Sequence, residues 1–125
     1  VRSRRQRQMC IRDSSCAAGN AALTILQNSG WIEAVKEKEN YLITHLQHPS
    51  ILHRNHAGLW MSLQFESAEL TKKIAAACIE NGIITDWFLF AEDRIRIAPP
   101  LSITIDELAI AIEKILASIN RALAE

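Results

Sequence analysis

The chain has 125 residues, of which 49% are hydrophobic and 22% are charged. This is enough for one domain with a modest core, and the composition excludes a wholly disordered chain. The 14 basic and 14 acidic residues give a formal net charge of zero. No apolar run approaches the roughly 18 residues that a membrane span needs, so we expect no membrane partner. The three cysteines form no close pair, which favours a reducing compartment and a cytoplasmic protein.

Charge is unevenly distributed along the chain. Five arginines against Asp13 give the first 13 residues a charge of +4, and the remainder carries −4. The stretch RQRQMCIRDS resembles a translated sequencing-adapter remnant. We therefore predict that residues 1–14 are non-native or disordered and that residues 15–125 form one domain. A basic nucleic-acid-binding arm is the alternative. However, no aromatic residue is interleaved with these arginines, so we expect no nucleic-acid partner.

Two helices are predicted first. Residues 16–27 have a helix-like pattern rich in small side chains, and Gly30 is a suitable stop. Between residues 31 and 46, apolar positions recur on one helical face while most charged residues fall on the other. Pro49 ends this second element.

A strand, a helix and short strand candidates follow. Apolar and polar residues alternate over residues 59–65, which predicts a strand with one core face. Ser67 is suited to cap a helix that ends near Gly82. Residues 83–85 and 87–90 are short strand candidates.

The end of the chain predicts one more strand and a long helix. The run RIRI at residues 94–97 is a strand that two prolines end. Thr104 and Glu107 form a capping box. The helix behind them carries one apolar stripe, made of Leu108, Ile112, Ile115, Leu116, Ile119 and Leu123. The order of elements predicts an α/β (α+β) domain, with a small, mainly antiparallel sheet and helices packed on one face.

Most candidate reactive residues have an ordinary structural interpretation. The four histidines form two pairs spaced by three, but Pro49 separates the pairs. Zinc sites usually need four convergent ligands, so we expect no metal site. Cys16 lies near a helix start, but no histidine can be placed beside it. We expect no catalytic residue in this chain.

Arg94 and Arg96 are the strongest candidate binding residues. In a strand they project to one face, while Ile95 and Ile97 project to the other. A guanidinium presents a planar fork that fits a carboxylate through two hydrogen bonds, and the prolines that follow would hold the backbone in place. An ordinary solvated strand face, with Glu92 and Asp93 as ion-pair partners, is the alternative.

The segment RIRIAPPLSIT, followed by DELAIAIEKI, resembles the C-terminal end of class III, fold-type-I pyridoxal-phosphate aminotransferases. The ornithine and acetylornithine aminotransferases are the most similar. The family pattern is arginine, an apolar residue, any residue, Pro-Pro-Leu, Ser or Thr, an apolar residue and Thr, which residues 96–104 fit. The stretch AGLWMSLQF also resembles a family strand, although His56 replaces its first glycine and Trp60 stands where methionine is usual.

This resemblance implies a function for the whole protein. It implies the C-terminal small domain of an aminotransferase that moves an amino group between an ornithine- or acetylornithine-like donor and 2-oxoglutarate. Arg96 would bind the α-carboxylate of the amino acid or 2-oxo acid. The full-length parent would bind pyridoxal 5′-phosphate (PLP) and form a homodimer.

The resemblance also implies that the reactive groups lie elsewhere. The family carries its Schiff-base lysine and its cofactor-binding groups in a large domain. All five lysines here fall on polar faces of predicted helices, outside the family's lysine motif: Lys36, Lys38, Lys72, Lys73 and Lys114. We therefore expect a fragment that binds no PLP and is inactive alone. A stand-alone α/β ligand-binding or dimerisation module without catalysis is the alternative.

Overall fold

The computed structural model describes residues 13–124, and the chain divides after Glu33 into two units. Residues 1–12 of the predicted non-native segment lie outside the described residues. The first unit contains helix α1 (Asp13–Asn28). Gly30 follows it with a φ of +69°, the left-handed conformation that glycine adopts readily after a helix end.

The second unit is built from three helices and four strands. Its elements are α2 (Val35–His45), β1 (His53–Ala57), β2 (Trp60–Gln64), α3 (Ala68–Glu80), β3 (Asp86–Phe88), β4 (Ala91–Ile97) and α4 (Ile105–Ala124). The strands form one antiparallel sheet in the order β1-β2-β4-β3. The predicted fold class is confirmed.

Strand β1 was not predicted, because its sequence HRNHA has no alternation of apolar and polar residues. It lies at the edge of the sheet and pairs only with β2, and four of its five side chains are exposed. The second helix is also shorter than expected, since residues 31–34 form a turn before Val35. Residues 83–85 are not a strand.

The pairing of β2 with β4 separates the sheet into two faces. Met61 lies opposite Ile97 and Leu63 opposite Ile95, and all four side chains are buried. These residues join the helices in one core, which comprises Leu42, Leu46, Met61, Leu63, Phe65, Ile74, Cys78, Ile95, Ile97, Leu108, Ile112, Ile115, Ile119 and Ala122. The opposite face, here called the outer face, carries Asn55, Trp60, Ser62, Gln64, Asp86, Arg94 and Arg96.

Both predicted helix caps are present. The Ser67 hydroxyl accepts a hydrogen bond from Leu70 N at 3.2 Å. Thr104 N donates to Glu107 Oε2 at 2.8 Å, and Glu107 N donates to Thr104 Oγ1 at 3.2 Å. The hydrogen bond from the Thr104 backbone is the main cause that holds the pKa of Glu107 below its usual value. The capping box is therefore confirmed.

The apolar stripe of α4 is confirmed up to its last turn. Leu108, Ile112, Ile115 and Ile119 are buried. Leu123 was expected to follow them, but its side chain is 48% exposed, and Ala122 is buried instead. Steps of three and four residues from Ile119 reach Ala122 and Leu123 respectively, and the core takes the smaller side chain.

The expectation that Lys38 lies on a polar helix face was wrong. Lys38 is only 7% exposed, and its Nζ donates to Leu101 O at 2.7 Å. The aliphatic stem can be covered by the protein because the charged end has reached a carbonyl oxygen. This hydrogen bond ties α2 to the segment that follows Pro99 and Pro100.

Glu39 connects α2 to the turn between β1 and β2. Its Oε1 accepts hydrogen bonds from His56 Nδ1 at 2.9 Å and from Gly58 N at 3.0 Å, while Oε2 accepts one from Lys36 Nζ at 3.0 Å. The hydrogen bond from Lys36, followed by that from His56, lowers the pKa of Glu39 from 4.5 to about 2. The imidazole of His56 therefore has a defined structural partner.

Replacing Lys38 by methionine should destabilise the second unit. The change keeps most of the apolar stem but leaves Leu101 O without its donor, so we expect the free energy of unfolding to fall by about 1–3 kcal/mol. Urea denaturation measures this. Lys73→Met is the control, because the Lys73 side chain is 45% exposed and its Nζ lies 3.6 Å from Glu69 Oε1. We expect less than about 0.5 kcal/mol there. Equal losses in the two variants would contradict the structural role of Lys38.

The Glu39 cluster predicts acid sensitivity. A carboxylate whose folded pKa is depressed contributes stability above its unfolded pKa, and this contribution is lost as the pH falls towards the folded pKa. For Glu39 the loss should occur between pH values of roughly 4.5 and 2. Glu39→Gln should be less stable than wild type near neutral pH and should lose less stability on acidification. Urea unfolding across this pH range checks both, with the exposed Glu69→Gln as control. Parallel profiles for Glu39→Gln and wild type would contradict the prediction.

Candidate functional site

Arg96 lies one residue before the end of β4, on the outer face of the sheet. Its sequence neighbours Ile95 and Ile97 are buried in the core, at 2% and 7% exposure, and its own side chain is exposed. Across the sheet Arg96 lies opposite Ser62 on β2 and Asp86 on β3. The predicted alternation of charged and apolar side chains in β4 is therefore confirmed.

The backbone around Arg96 is held from several sides. Strand β4 is central in the sheet, between β2 and β3, and Thr85 Oγ1 donates to Arg96 O at 2.7 Å. Pro99 and Pro100 follow directly, and the next carbonyl, Leu101 O, accepts the hydrogen bond from Lys38. The backbone of Arg96 is therefore restrained, so the conformational entropy that remains to be lost on ligand binding is that of its side chain.

The guanidinium of Arg96 has no hydrogen bond or ion pair with any residue from 13 to 124. The other described arginines are engaged. Arg54 donates to Ile43 O and Leu46 O at the end of α2, Arg94 donates to Gln64 Oε1 at 3.0 Å, and Arg121 pairs with Glu80 at 2.7 Å. Arg96 is thus the arginine of this part of the chain that is available to an external anion.

The two carboxylates of β4 that could have paired with Arg96 form hydrogen bonds with other residues. Glu92 Oε2 accepts a hydrogen bond from Lys72 Nζ at 2.6 Å. Asp93 Oδ2 accepts one from Gln64 Nε2 at 2.8 Å. The ion pairs with Glu92 and Asp93 that the solvated-face alternative names are therefore not formed among the described residues: Arg94 donates to Gln64, and Arg96 is exposed.

Two clefts meet at Arg96. A cleft of about 330 Å³ reaches the core side chains Leu42, Leu108, Ile112 and Ile115. A shallower cleft of about 560 Å³ lies between Trp60, Asp86 and Trp87. Both are lined by Ile84, Thr85, Arg96 and Ala98. Arg96 therefore lines a concave surface with apolar walls, where a charged hydrogen bond is worth more than on a flat, solvated surface.

The lysines do not provide a PLP site. Lys38 is committed to Leu101 O, Lys36 pairs with Glu39, Lys72 with Glu92 and Lys73 with Glu69. No lysine lines either cleft at Arg96. Because PLP needs a lysine amine and groups that hold a phosphate, the residues of this part of the chain do not fit the cofactor.

The other candidate residues are not arranged as a catalytic or metal-binding site among the described residues. His45 and His48 contact Tyr41 O and Ser50 Oγ respectively. Among residues 13–124, no group of three or more His, Cys, Asp or Glu side chains is arranged to hold a metal ion. Burial raises the pKa of the Cys78 thiol.

None of the described helices combines the length and apolar character needed to cross a bilayer.

Sequence reasoning overlooked two polar residues near Arg96. Lys38 was assigned to a solvated face, although it fixes the segment after Pro100. Ser62 was placed only on the polar face of a strand, whereas the register sets it directly opposite Arg96. The partner of Lys38 is 63 residues away along the chain, and no signal in the sequence shows which strands pair, so neither position could have been found before the structure.

A family model and a curated relative both match this chain, and both are aminotransferases. Residues 13–119 match the model for class-III aminotransferases. An ornithine aminotransferase from Halalkalibacterium halodurans is 34% identical over 104 residues, covering 81% of this chain and 25% of the relative. The chain therefore spans about a quarter of the length of this relative.

Solved structures show the same fold. An (S)-enantioselective omega-transaminase from Thermomicrobium roseum superposes with a TM-score of 0.76 at 25% identity, over 86% of this chain and 27% of the other. An aminotransferase from Vibrio fluvialis in its PMP-bound form gives a TM-score of 0.73 at 19% identity, over 88% and 27%. Since the family model covers most of the sequence and the fold agrees, this chain belongs to the class-III aminotransferase family.

Proposed function

We propose that this chain is the C-terminal small domain of a PLP-dependent aminotransferase and that Arg96 binds the substrate carboxylate. The reaction moves an amino group between an ornithine- or acetylornithine-like donor and 2-oxoglutarate. Membership of the class-III family supports the reaction class, and the 34% identity to an ornithine aminotransferase supports the donor class.

One observation carries the assignment of Arg96. Arg96 is an exposed residue that lines both clefts, its guanidinium has no partner among residues 13–124, and its backbone is held by the sheet. A carboxylate can accept two parallel hydrogen bonds from the guanidinium fork, which sets both the distance and the orientation of the bound acid. Fixing the acid end of the substrate places its amino or oxo carbon, so Arg96 acts on orientation as well as affinity.

The rest of the parent protein supplies the reactive groups in this proposal. PLP and its Schiff-base lysine are assigned to the part of the parent outside residues 15–125, because the lysines described here are not placed to hold the cofactor. The parent is further proposed to be a cytoplasmic homodimer with amino-acid and 2-oxo-acid substrates. The odd number of cysteines supports a reducing compartment.

Arg96→Ala in the full-length parent should raise KM for 2-oxoglutarate and weaken transition-state binding by about 2–5 kcal/mol. Arg96→Lys should not restore it, because an ammonium group cannot form the bidentate fork. Steady-state kinetics measures both. Arg94→Ala is the matched control, two residues away on the same face but bonded to Gln64, and should change the specificity constant much less. An unchanged specificity constant in Arg96→Ala would refute the assignment.

The 125-residue chain alone should show no aminotransferase activity and no stable adduct with PLP. Purified chain mixed with PLP should give no visible absorbance band that borohydride converts into a defined protein-bound product, because its lysines are engaged or lie outside the clefts. Intact-mass spectrometry after reduction checks this. A single modified lysine at stoichiometric yield would show that the cofactor site lies within this chain.

A further inference from the structure

Ser62 carries a buried hydroxyl whose hydrogen-bonding capacity is unused. Its Oγ is inaccessible to solvent and has no hydrogen-bond partner in the part of the chain that the structure describes. Native proteins pair nearly all such groups, because an unpaired buried polar atom is destabilising. We therefore expect the Ser62 hydroxyl to gain a hydrogen-bond partner when the protein binds a ligand.

The sheet register places two polar residues opposite Ser62, Asn55 on β1 and Arg96 on β4, and Arg96 is the one that carries charged donors. Ser62 on β2 lies directly opposite Arg96 on β4, so the two side chains leave the same face with Cβ atoms roughly 4.5–5.5 Å apart. The neighbouring pair on this face, Gln64 opposite Arg94, is joined by a hydrogen bond from Arg94 Nη2 to Gln64 Oε1 at 3.0 Å. Ser62 and Arg96 are the next pair along the same two strands, and they make no such bond.

We propose that Ser62 is a positioning residue for Arg96: its hydroxyl accepts a hydrogen bond from the guanidinium when the guanidinium binds a substrate carboxylate. This rests on the proposed carboxylate-binding role of Arg96. A guanidinium has five N–H donors, and a bidentate carboxylate uses two of them. The remaining donors can reach Ser62 Oγ, which has no other hydrogen-bond partner among the described residues.

The effect on binding follows from the difference between the two states. Among the described residues the hydroxyl is buried and unpaired, and in the proposed complex with a carboxylate it is paired. A hydrogen bond made only with ligand present contributes to affinity, and it also fixes the plane of the fork on the carboxylate. Because the hydroxyl has no partner among the described residues, its removal should not destabilise the protein in the absence of added substrate.

The test is a double-mutant cycle in the full-length holoenzyme with Ser62→Ala, Arg96→Ala and the double variant. Ser62→Ala alone should raise KM for 2-oxoglutarate about 10-fold, in line with one hydrogen bond to a charged group, with little change in kcat. In the Arg96→Ala background it should have no further effect. Ser62→Thr keeps the hydroxyl and should remain within about twofold of wild type. The midpoint of urea unfolding should not fall in Ser62→Ala.

The outcomes separate this proposal from the one it rests on. If Ser62→Ala has the same effect with and without Arg96, or lowers stability, Ser62 has a purely structural role and the proposal is overturned. It is also overturned if Ser62→Ala leaves KM unchanged while Arg96→Ala raises it, or if Ser62→Thr is as impaired as Ser62→Ala. In those cases the role of Arg96 stands. If Arg96→Ala itself leaves KM unchanged, both proposals fail.

Discussion

The antiparallel register between β2 and β4 determines which polar side chains meet on the outer face of the sheet. It places two consecutive pairs on that face, Gln64 with Arg94 and Ser62 with Arg96. The first pair is satisfied internally and the second is not. A shift of one residue would move both arginines towards the core and both isoleucines into solvent. The burial of Ile95 and Ile97 therefore selects the arrangement in which Arg96 faces outwards.

The contacts around this register restrain the backbone without occupying the guanidinium. Thr85 binds the carbonyl of Arg96, and Lys38 binds the carbonyl of Leu101 beyond the two prolines. Both act on main-chain oxygen atoms, so the side chain of Arg96 is left available.

The sequence predicted those features that depend on local periodicity or capping chemistry. The alternation in β2 and β4, the Ser67 cap, the Thr104–Glu107 capping box and most of the α4 stripe could be read directly, because each follows from residues within one or two turns. Strand β1 could not, since an exposed edge strand of polar residues has no periodic signal. Lys38 could not either, because its partner Leu101 is 63 residues away along the chain.

In the candidate site too, the local motif could be predicted from the sequence, whereas the contacts between strands could not. The motif from Arg96 to Thr104 was sufficient to identify the arginine and its restrained backbone. That the guanidinium has no partner among residues 13–124 could not be predicted, because it depends on where Glu92, Asp93 and Gln64 place their side chains. The same is true of Ser62, whose position opposite Arg96 exists only once β2 and β4 pair.

The unpaired guanidinium of Arg96 and the unpaired hydroxyl of Ser62 differ in what they cost the folded protein. An exposed guanidinium without a partner loses little, since a surface ion pair contributes only about 0–1 kcal/mol. A buried hydroxyl without a partner costs more, about 1–3 kcal/mol. Among the described residues, Ser62 Oγ is the buried side-chain polar atom left in this state, while Lys38, Glu39 and Ser118 are all hydrogen-bonded. The described residues therefore satisfy Lys38, Glu39 and Ser118 but leave Ser62 unpaired on the outer face, opposite Arg96, which is the position where the proposed ligand would supply the missing interaction.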